Sequence, residues 1–251
     1  MNFIKIPNIP AAPVKRVIID GRAGAKIEAS LKENGLEIIR TNEHKGLYAS
    51  VSHHPDMMLH HLGEEYIVYA PGLSSYMIEI LKDYGFMLLR GQSRLESKYP
   101  GNIAYNAARV GNVVFHNLKY TDPVLKQELE KRGVRLVDTK QGYAKCSISV
   151  VNEKAIITGD KGIEKAALEN GIEVLLLEQD ENIMLPGMNY GFIGGSTGLI
   201  GKNKWAITGK LETIKSFDKI CNFLNKYNME IVSLSDERVI DVGSIIPVVQ
   251  M

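Results

Sequence analysis

The stretch AKIEASLKENGLEIIRT, residues 25–41, places Ile27 and Leu31 one helical turn apart, stops at Gly35 and resumes with Leu36, Ile38 and Ile39. Apolar residues at helical spacing followed by a short apolar run predict an amphipathic helix leading into a strand. Glycine is a natural stop, because helices commonly end on a residue in the left-handed conformation, which glycine adopts freely and asparagine better than most. The pattern recurs as YMIEILKDYGFMLLRG from Tyr76, PVLKQELEKRGVRLVDT from Pro123, GIEKAALENGIEVLLLE from Gly162 and IKSFDKICNFLNKYNMEIVSLS from Ile214. Gly35, Gly85, Gly133, Gly171 and Asn228 are therefore equivalent positions of an internal repeat. They lie 50, 48, 38 and 57 residues apart. That exceeds the roughly 30 residues of a simple βαβ unit, so each unit holds a further element.

Upstream of every helix sits an apolar run bounded by polar or glycine turns: KRVIIDG, EEYIVYAPG, GNVVFHN, EKAIITGD and NKWAITGK. Four units carry another candidate strand before that one: LYASVSH from Leu47, NIAYNAA from Asn102, YAKCSISV from Tyr143 and YGFIGGSTGLI from Tyr190. The first unit has only a proline-broken leader, residues 1–13, ahead of its hairpin. Its missing strand is supplied by VIDVGSIIPVV from Val239, which follows the fifth unit and has no helix of its own. The expectation is one α/β domain over residues 1–251, a five-fold pseudo-symmetric ring of strand–strand–helix–strand units (an α/β propeller) closed by the C-terminal strand. A TIM barrel would need eight βα units, and a kelch-type propeller would lack the helices.

Composition narrows the function classes. Thirty Lys and Arg against 29 Asp and Glu leave a net charge of +1, with no basic stripe that would favour nucleic acid or a membrane surface. The start, MNFIKIPNIPAAPVKR, lacks the continuous apolar run of a signal peptide, and nothing later reaches the roughly 18 apolar residues of a membrane-crossing helix. Two cysteines, Cys146 and Cys221, are too few for a disulfide framework and lack metal-ligand spacing. These features imply a cytoplasmic protein with a small-molecule ligand, no nucleic acid, no membrane, and neither cofactor nor metal.

In a ring of such units the axis-facing segments are the natural wall of a ligand cavity. They are rich in small and polar residues, among them Asn102, Asn106, Lys145, Cys146, Asn189, Asp241 and Ser244. A crowded axis also selects small side chains for packing alone. Cys146 is the only cysteine on these segments and the candidate nucleophile, although strand alternation would point Lys145 to the opposite face. Cys221 has helical spacing with Phe217 and Leu224 and reads as core. SHHPDMMLHHL holds four histidines. Pro55 suits a first helical position and Asp56 a helix N-terminus, so a short helix following the strand accounts for those letters without a metal. His54 and Asp56 are then candidate proton partners for Cys146 across the ring. In GFIGGSTGLIGK, residues 191–202, Ser196 stands where a phosphate loop needs glycine, so the glycines read as sites of close backbone approach.

The five units, the returning tail and the segments SHHPDM, YPGNIAYN, QGYAKCS, GFIGG and DVGSIIP together resemble the pentein superfamily. That superfamily holds arginine and agmatine deiminases, amidinotransferases, dimethylarginine dimethylaminohydrolase and a non-catalytic ribosome anti-association factor. The resemblance implies a nucleophilic cysteine on the last inner strand, a histidine on the fourth unit and an acid on the third. The matching positions here hold Ser244, Tyr143 and Asn102, so the usual triad is absent. A serine with no nearby base is a poor nucleophile, and Asn102 brings no negative charge to a guanidinium group. The implied function is an axial pocket for an amino-acid-like or guanidino compound, contacted by Asn102, Asn106, Tyr143, Lys145, Asn189 and Ser244. If there is turnover, the class is a guanidino C–N hydrolase or amidinotransferase. The alternative is a non-catalytic protein- or ribosome-interaction module.

Overall fold

The computed structural model describes residues 2–178 and 182–251. Five helices occupy the predicted repeat positions: Ala25–Glu33, Ser75–Asp83, Pro123–Lys131, Lys161–Glu169 and Phe217–Lys226. The N-termini of three are capped by side chains that accept backbone N–H groups, Ser74 from Met77, Asp122 from Val124 and Leu125, and Asp160 from Ile163. All five end alike. Gly35, Gly85, Gly133, Gly171 and Asn228 have φ of +80°, +81°, +67°, +72° and +52°. The next residue, Leu36, Phe86, Val134, Ile172 or Met229, donates its N–H back to a carbonyl of the last turn at 3.0–3.1 Å. That residue is buried in every case, so one apolar side chain fixes the angle at which chain leaves helix and enters the following strand.

Each helix connects two parallel strands of one small sheet, and an antiparallel strand lies on the far side of the first. Units two to five have three-stranded sheets: Leu59–Gly63, Tyr66–Tyr69 and Met87–Arg90; Ala108–Val110, Val113–His116 and Arg135–Asp138; Ile148–Asn152, Ala155–Thr158 and Glu173–Leu176; Thr197–Gly201, Lys204–Ile207 and Glu230–Ser233. The first unit's sheet has four strands in the order Asn2–Phe3, Ile246–Gln250, Val14–Ile19 and Glu37–Arg40. The chain's tail thus returns to pair with the opening unit, antiparallel, Ile246 opposite Ile18. The proline-broken leader is tied to this sheet: Asn2 and Phe3 add an edge strand, and Ile4 is fully buried.

The sheets are separate but hydrogen-bonded from one unit to the next. Asp56 N–H donates to Gly243 O (3.4 Å), Arg109 Nη1 to Leu62 O (2.9 Å), Lys145 N–H to Asn106 O (3.0 Å), Thr197 Oγ1 to Ser149 Oγ (2.8 Å) and Ser244 N–H to Gly195 O (2.8 Å). Apolar clusters fill the space between helices and sheets, with Trp205, Tyr105 and Phe115 fully buried.

The inner segments depart from expectation. The first inner strand is Leu59–Gly63 and not LYASVSH, of which Ala49–Val51 forms a single 3-10 turn. The helix in SHHPDMMLHHL spans only Pro55–Met58, so His60 and His61 belong to the strand after it. YAKCSISV likewise splits into a helical turn, Ala144–Ser147, and the strand Ile148–Asn152, and Gly194–Ser196 turns before Thr197–Gly201. Units two, four and five therefore bring their chemistry-bearing residues to the middle on one helical turn ahead of the strand. A four-residue turn is too short to show a helical period, which is why alternation was the reading the letters favoured.

Candidate active site

Pro55 at the first helical position of its turn orients Asp56, and the turn Ala144–Ser147 orients Lys145 and Cys146. Adjacent residues of a strand would diverge, but on a helical turn they sit about 100° apart, so Lys145 and Cys146 both reach the middle, contrary to the strand-based expectation. Asp56 Oδ2 is the meeting point: it accepts from Cys146 Sγ at 3.2 Å and from Ser244 Oγ at 2.8 Å. Lys145 Nζ donates to the same Ser244 Oγ at 2.8 Å. Ser244 thus relays between a buried ammonium and a buried carboxylate, and the expectation that it lacks a nearby base is corrected by Asp56, whose Oδ2 accepts from its hydroxyl.

Ser244 is fully buried and has φ of +74°, a conformation disfavoured for any residue with a Cβ. Its N–H bond to Gly195 O and Oγ contacts with Lys145, Asp56 and Gly194 O (3.0 Å) hold it there. The preceding glycines are required by contact. A Cβ on Gly195 would lie 2.0 Å from Asp241 Oδ1, and one on Gly194 would lie 2.4 Å from Ile148 O. The close-approach reading of the GFIGG glycines holds.

Asn106, fully buried, organises the thiol. Its Oδ1 accepts from the N–H groups of Lys145 (2.9 Å) and Cys146 (3.3 Å), and its Nδ2 donates to Cys146 Sγ (3.2 Å) and Asp56 O (3.1 Å). Burial pushes the Cys146 thiol well above its ordinary range, and the negative charges of Asp56 and Asp241 add to that. The resting group is a neutral thiol, accepting from Asn106 and donating to Asp56. Burial likewise draws Lys145 below the usual lysine range, opposed by the Asp56 charge.

Cys146 is 3% exposed, on the wall of a cavity of about 280 Å³. His54, Asp241, Tyr48, Tyr143, Asn189, Tyr190 and Phe192 also line it. Tyr143 and Phe192 stack with ring centroids 6.3 Å apart and planes 30° apart, and Tyr190 meets Phe192 edge-on. Asp241 anchors the back of the cavity by accepting from Phe192 N–H (2.9 Å) and Gly243 N–H (3.0 Å); burial pushes its carboxyl above the usual carboxylate range, with His54 pulling the other way. His54 lies between two carboxylates, Nε2 3.8 Å from Asp20 and Nδ1 3.8 Å from Asp241.

All nine sequence-derived site residues gather here, in three layers. Cys146, His54, Tyr143 and Asn189 face the cavity. Asp56, Lys145, Ser244 and Asn106 lie beneath as a hydrogen-bonded network. Asn102 stands at the side, its Nδ2 donating to the Tyr143 hydroxyl at 2.9 Å. The remaining histidines scatter: His53 is half-buried beside Ser52, and His60 and His61 lie in the core strand. Cys221 is half-buried at the margin of its cluster, less enclosed than its helical spacing suggested. Sequence reasoning gave no role to Asp241, to Asp20 or, beyond Tyr143, to the aromatic wall. Asp20 reads as a turn residue in IIDG, and only the YGF at residues 190–192 hints at that wall.

Solved structures of similar shape include amidinotransferases and an agmatine deiminase. An amidinotransferase of Microseira wollei from the saxitoxin biosynthetic pathway is 8% identical, with a TM-score of 0.60 over 93% of this chain and 91% of that one. The inosamine-phosphate amidinotransferase of Streptomyces griseus is 11% identical, with a TM-score of 0.57 over 94% and 92%. A DDAH of Pseudomonas aeruginosa, in complex with citrulline, is 9% identical, with a TM-score of 0.55 over 89% and 92%. These likenesses establish the fold, which among the described residues comprises five small sheets and seven helices in the pentein arrangement. No curated protein matches the sequence significantly. Residues 18–246 match the family described as "Family of unknown function (DUF6873)", and the chain belongs to that family.

Proposed function

We propose that the five units close into a ring and that the cavity beside Cys146 takes a small cationic ligand of the guanidino or amino-acid class, in a protein that lacks the usual Cys–His–acid set of its fold. The observation that carries this reading is the pairing of a stacked aromatic wall, Tyr143 on Phe192, with the carboxylate of Asp241 on one cavity. A planar cation is attracted to an aromatic face and to a carboxylate at once, and both attractions strengthen where water is excluded. Asn189 and the Tyr48 and Tyr143 hydroxyls offer hydrogen bonds for the rest of the molecule.

Should the ligand be turned over, Cys146 is the nucleophile. Attack of its sulfur on the central carbon of a guanidino group forms a C–S bond and moves the thiol proton to Asp56 Oδ2, its present acceptor. His54, on the same wall, is placed to protonate the departing amine. A bound cation would also offset the Asp56 and Asp241 charges that hold the thiol neutral. The reading supports a cytoplasmic protein acting on a small molecule within one domain.

The test is thermal denaturation over a concentration series of arginine, agmatine and related guanidino compounds. Stabilisation that grows with concentration, reaching about 2.7 kcal/mol at a hundredfold excess over Kd, is the expected result. No response to any compound would reject the pocket and favour an interaction module on the same fold. For any compound that is turned over, Cys146→Ser is expected to abolish the reaction.

A further inference from the structure

His54, Asp56 and Cys146 come from two units, and one donor atom from each lies within 4.8 Å of the other two. All three are buried, His54 at 1%, Asp56 at 2% and Cys146 at 3% exposure. Two of these side chains carry a buried polar atom with no hydrogen-bond partner, His54 Nδ1 and Asp56 Oδ1. Orphaned buried polar atoms are costly, and a pair of them beside a thiol is a donor set in want of a cation.

We propose that His54 Nδ1, an Asp56 carboxylate oxygen and Cys146 Sγ form a three-ligand site for a zinc-class divalent cation, with a fourth position open to the aromatic cavity. The donor chemistry selects the ion: a thiolate with an imidazole suits zinc and disfavours magnesium and calcium, which take oxygen donors. The spacing suits it as well. Zn–S of about 2.3 Å and Zn–O of about 2.1 Å at a tetrahedral angle put sulfur and oxygen roughly 3.6 Å apart. Cys146 Sγ and Asp56 Oδ2 stand at 3.2 Å, so a small outward movement accommodates the ion.

Supporting groups are in place around each ligand. With Nδ1 on the metal, the His54 Nε2–H faces Asp20 Oδ2 at 3.8 Å, and Asp20 is itself held by Arg22 at 2.7 Å. A carboxylate behind a ligating histidine fixes its tautomer and raises its basicity. Asn106 Nδ2 donates to the sulfur at 3.2 Å, and Ser244 Oγ to Asp56 Oδ2 at 2.8 Å, a hydrogen bond that orients the ligating carboxylate. A divalent ion binding here forms a metal–sulfur bond and displaces the thiol proton to solvent.

Three protein ligands with an open fourth position is the arrangement of catalytic rather than structural zinc. The site goes beyond the ligand-binding reading and competes with it for the thiol, since a metal-bound sulfur is no longer a free nucleophile.

The experiment titrates chelator-treated protein with Co²⁺, without any guanidino compound, and then displaces it with Zn²⁺. One equivalent of Co²⁺ is expected to give a thiolate-to-cobalt charge-transfer band that Cys146→Ser removes and Zn²⁺ bleaches. Asp20→Asn, outside the ligand set, is expected to weaken Zn²⁺ binding about 10- to 100-fold. In the unmutated protein, stoichiometric Zn²⁺ is expected to block alkylation of Cys146 and leave Cys221 reactive, a readout that does not depend on any variant folding. Absence of the charge-transfer band, or equal alkylation of Cys146 with and without Zn²⁺, would overturn the site. Either failure leaves the guanidino reading intact, because that reading needs no metal.

Discussion

The outer half of each unit and its inner lead-in obey different rules. Outside, five helices end on the same left-handed residue, with the same return hydrogen bond and a buried apolar residue after it. Inside, no two lead-in segments match. Unit two brings His54 and Asp56, unit three Asn102 and Asn106, unit four Lys145 and Cys146, unit five two glycines, and the returning tail Asp241 and Ser244. Repetition outside builds the frame. Variation inside lets five different segments meet around a thiol, so substitutions in the two regions should fail in different ways and by different amounts.

The largest expected effect sharpens the inner side. Removing one partner of a buried charge pair costs about 3–5 kcal/mol, because the other charge is left uncompensated. Lys145→Met strands Asp56 and breaks the relay through Ser244, so a loss of that size in urea denaturation is expected. Lys226, an exposed partner of Glu173 on the outer side, is expected to give no measurable shift when changed to Met.

A comparable effect should follow acidification. Burial holds His60 at about 3 and both His61 and His116 at about 4, against an ordinary value near 6.5. Each is neutral in the folded protein while the unfolded chain takes up a proton, so stability falls as pH drops below about 6.5 and levels off near the folded values. The slope is about 1.4 kcal/mol per pH unit for each group once well below 6.5. Between about pH 7.5 and 5.5 the three together are expected to remove about 4 kcal/mol, read as a shift in the urea midpoint. A midpoint independent of pH across that window would contradict the burial of these histidines.

Smaller effects compare glycines. Gly195→Ala places a methyl group 2.0 Å from Asp241 Oδ1 and is expected to cost at least about 1–3 kcal/mol, since the packed centre must shift. Gly133→Ala meets nothing within 4 Å, so only its φ of +67° is penalised, by about 1 kcal/mol. Gly35→Ala and Gly171→Ala, with φ of +80° and +72° and equally open surroundings, should match Gly133→Ala closely. A large spread among these three would break the equivalence of the outer repeat.

What could be read from the letters follows the same division. The helices, their stops and the second strands were legible because a repeated apolar period and a stop residue are local signals, and the returning tail followed from counting strands. The inner segments were not. Lys145 and Cys146 belong to a single helical turn too short to show a period, so alternation misplaced them. Ser244 was matched to the nucleophile position, yet the lysine 2.8 Å from its hydroxyl lies 99 residues away in sequence. Contacts of that range leave no local trace, and the role of Asp241 was hidden for the same reason.

The central claim, that the cavity beside Cys146 is the working site, is tested most directly by peptide-resolved alkylation of the native, metal-free protein with and without a saturating guanidino compound. Cys146 lines the cavity and Cys221 lies in a different cluster, so each protein molecule carries its own control. Protection of Cys146 with Cys221 unchanged is the expected result. Equal modification of Cys146 in the presence and absence of every compound that shifts the melting curve would place the ligand elsewhere and contradict the account.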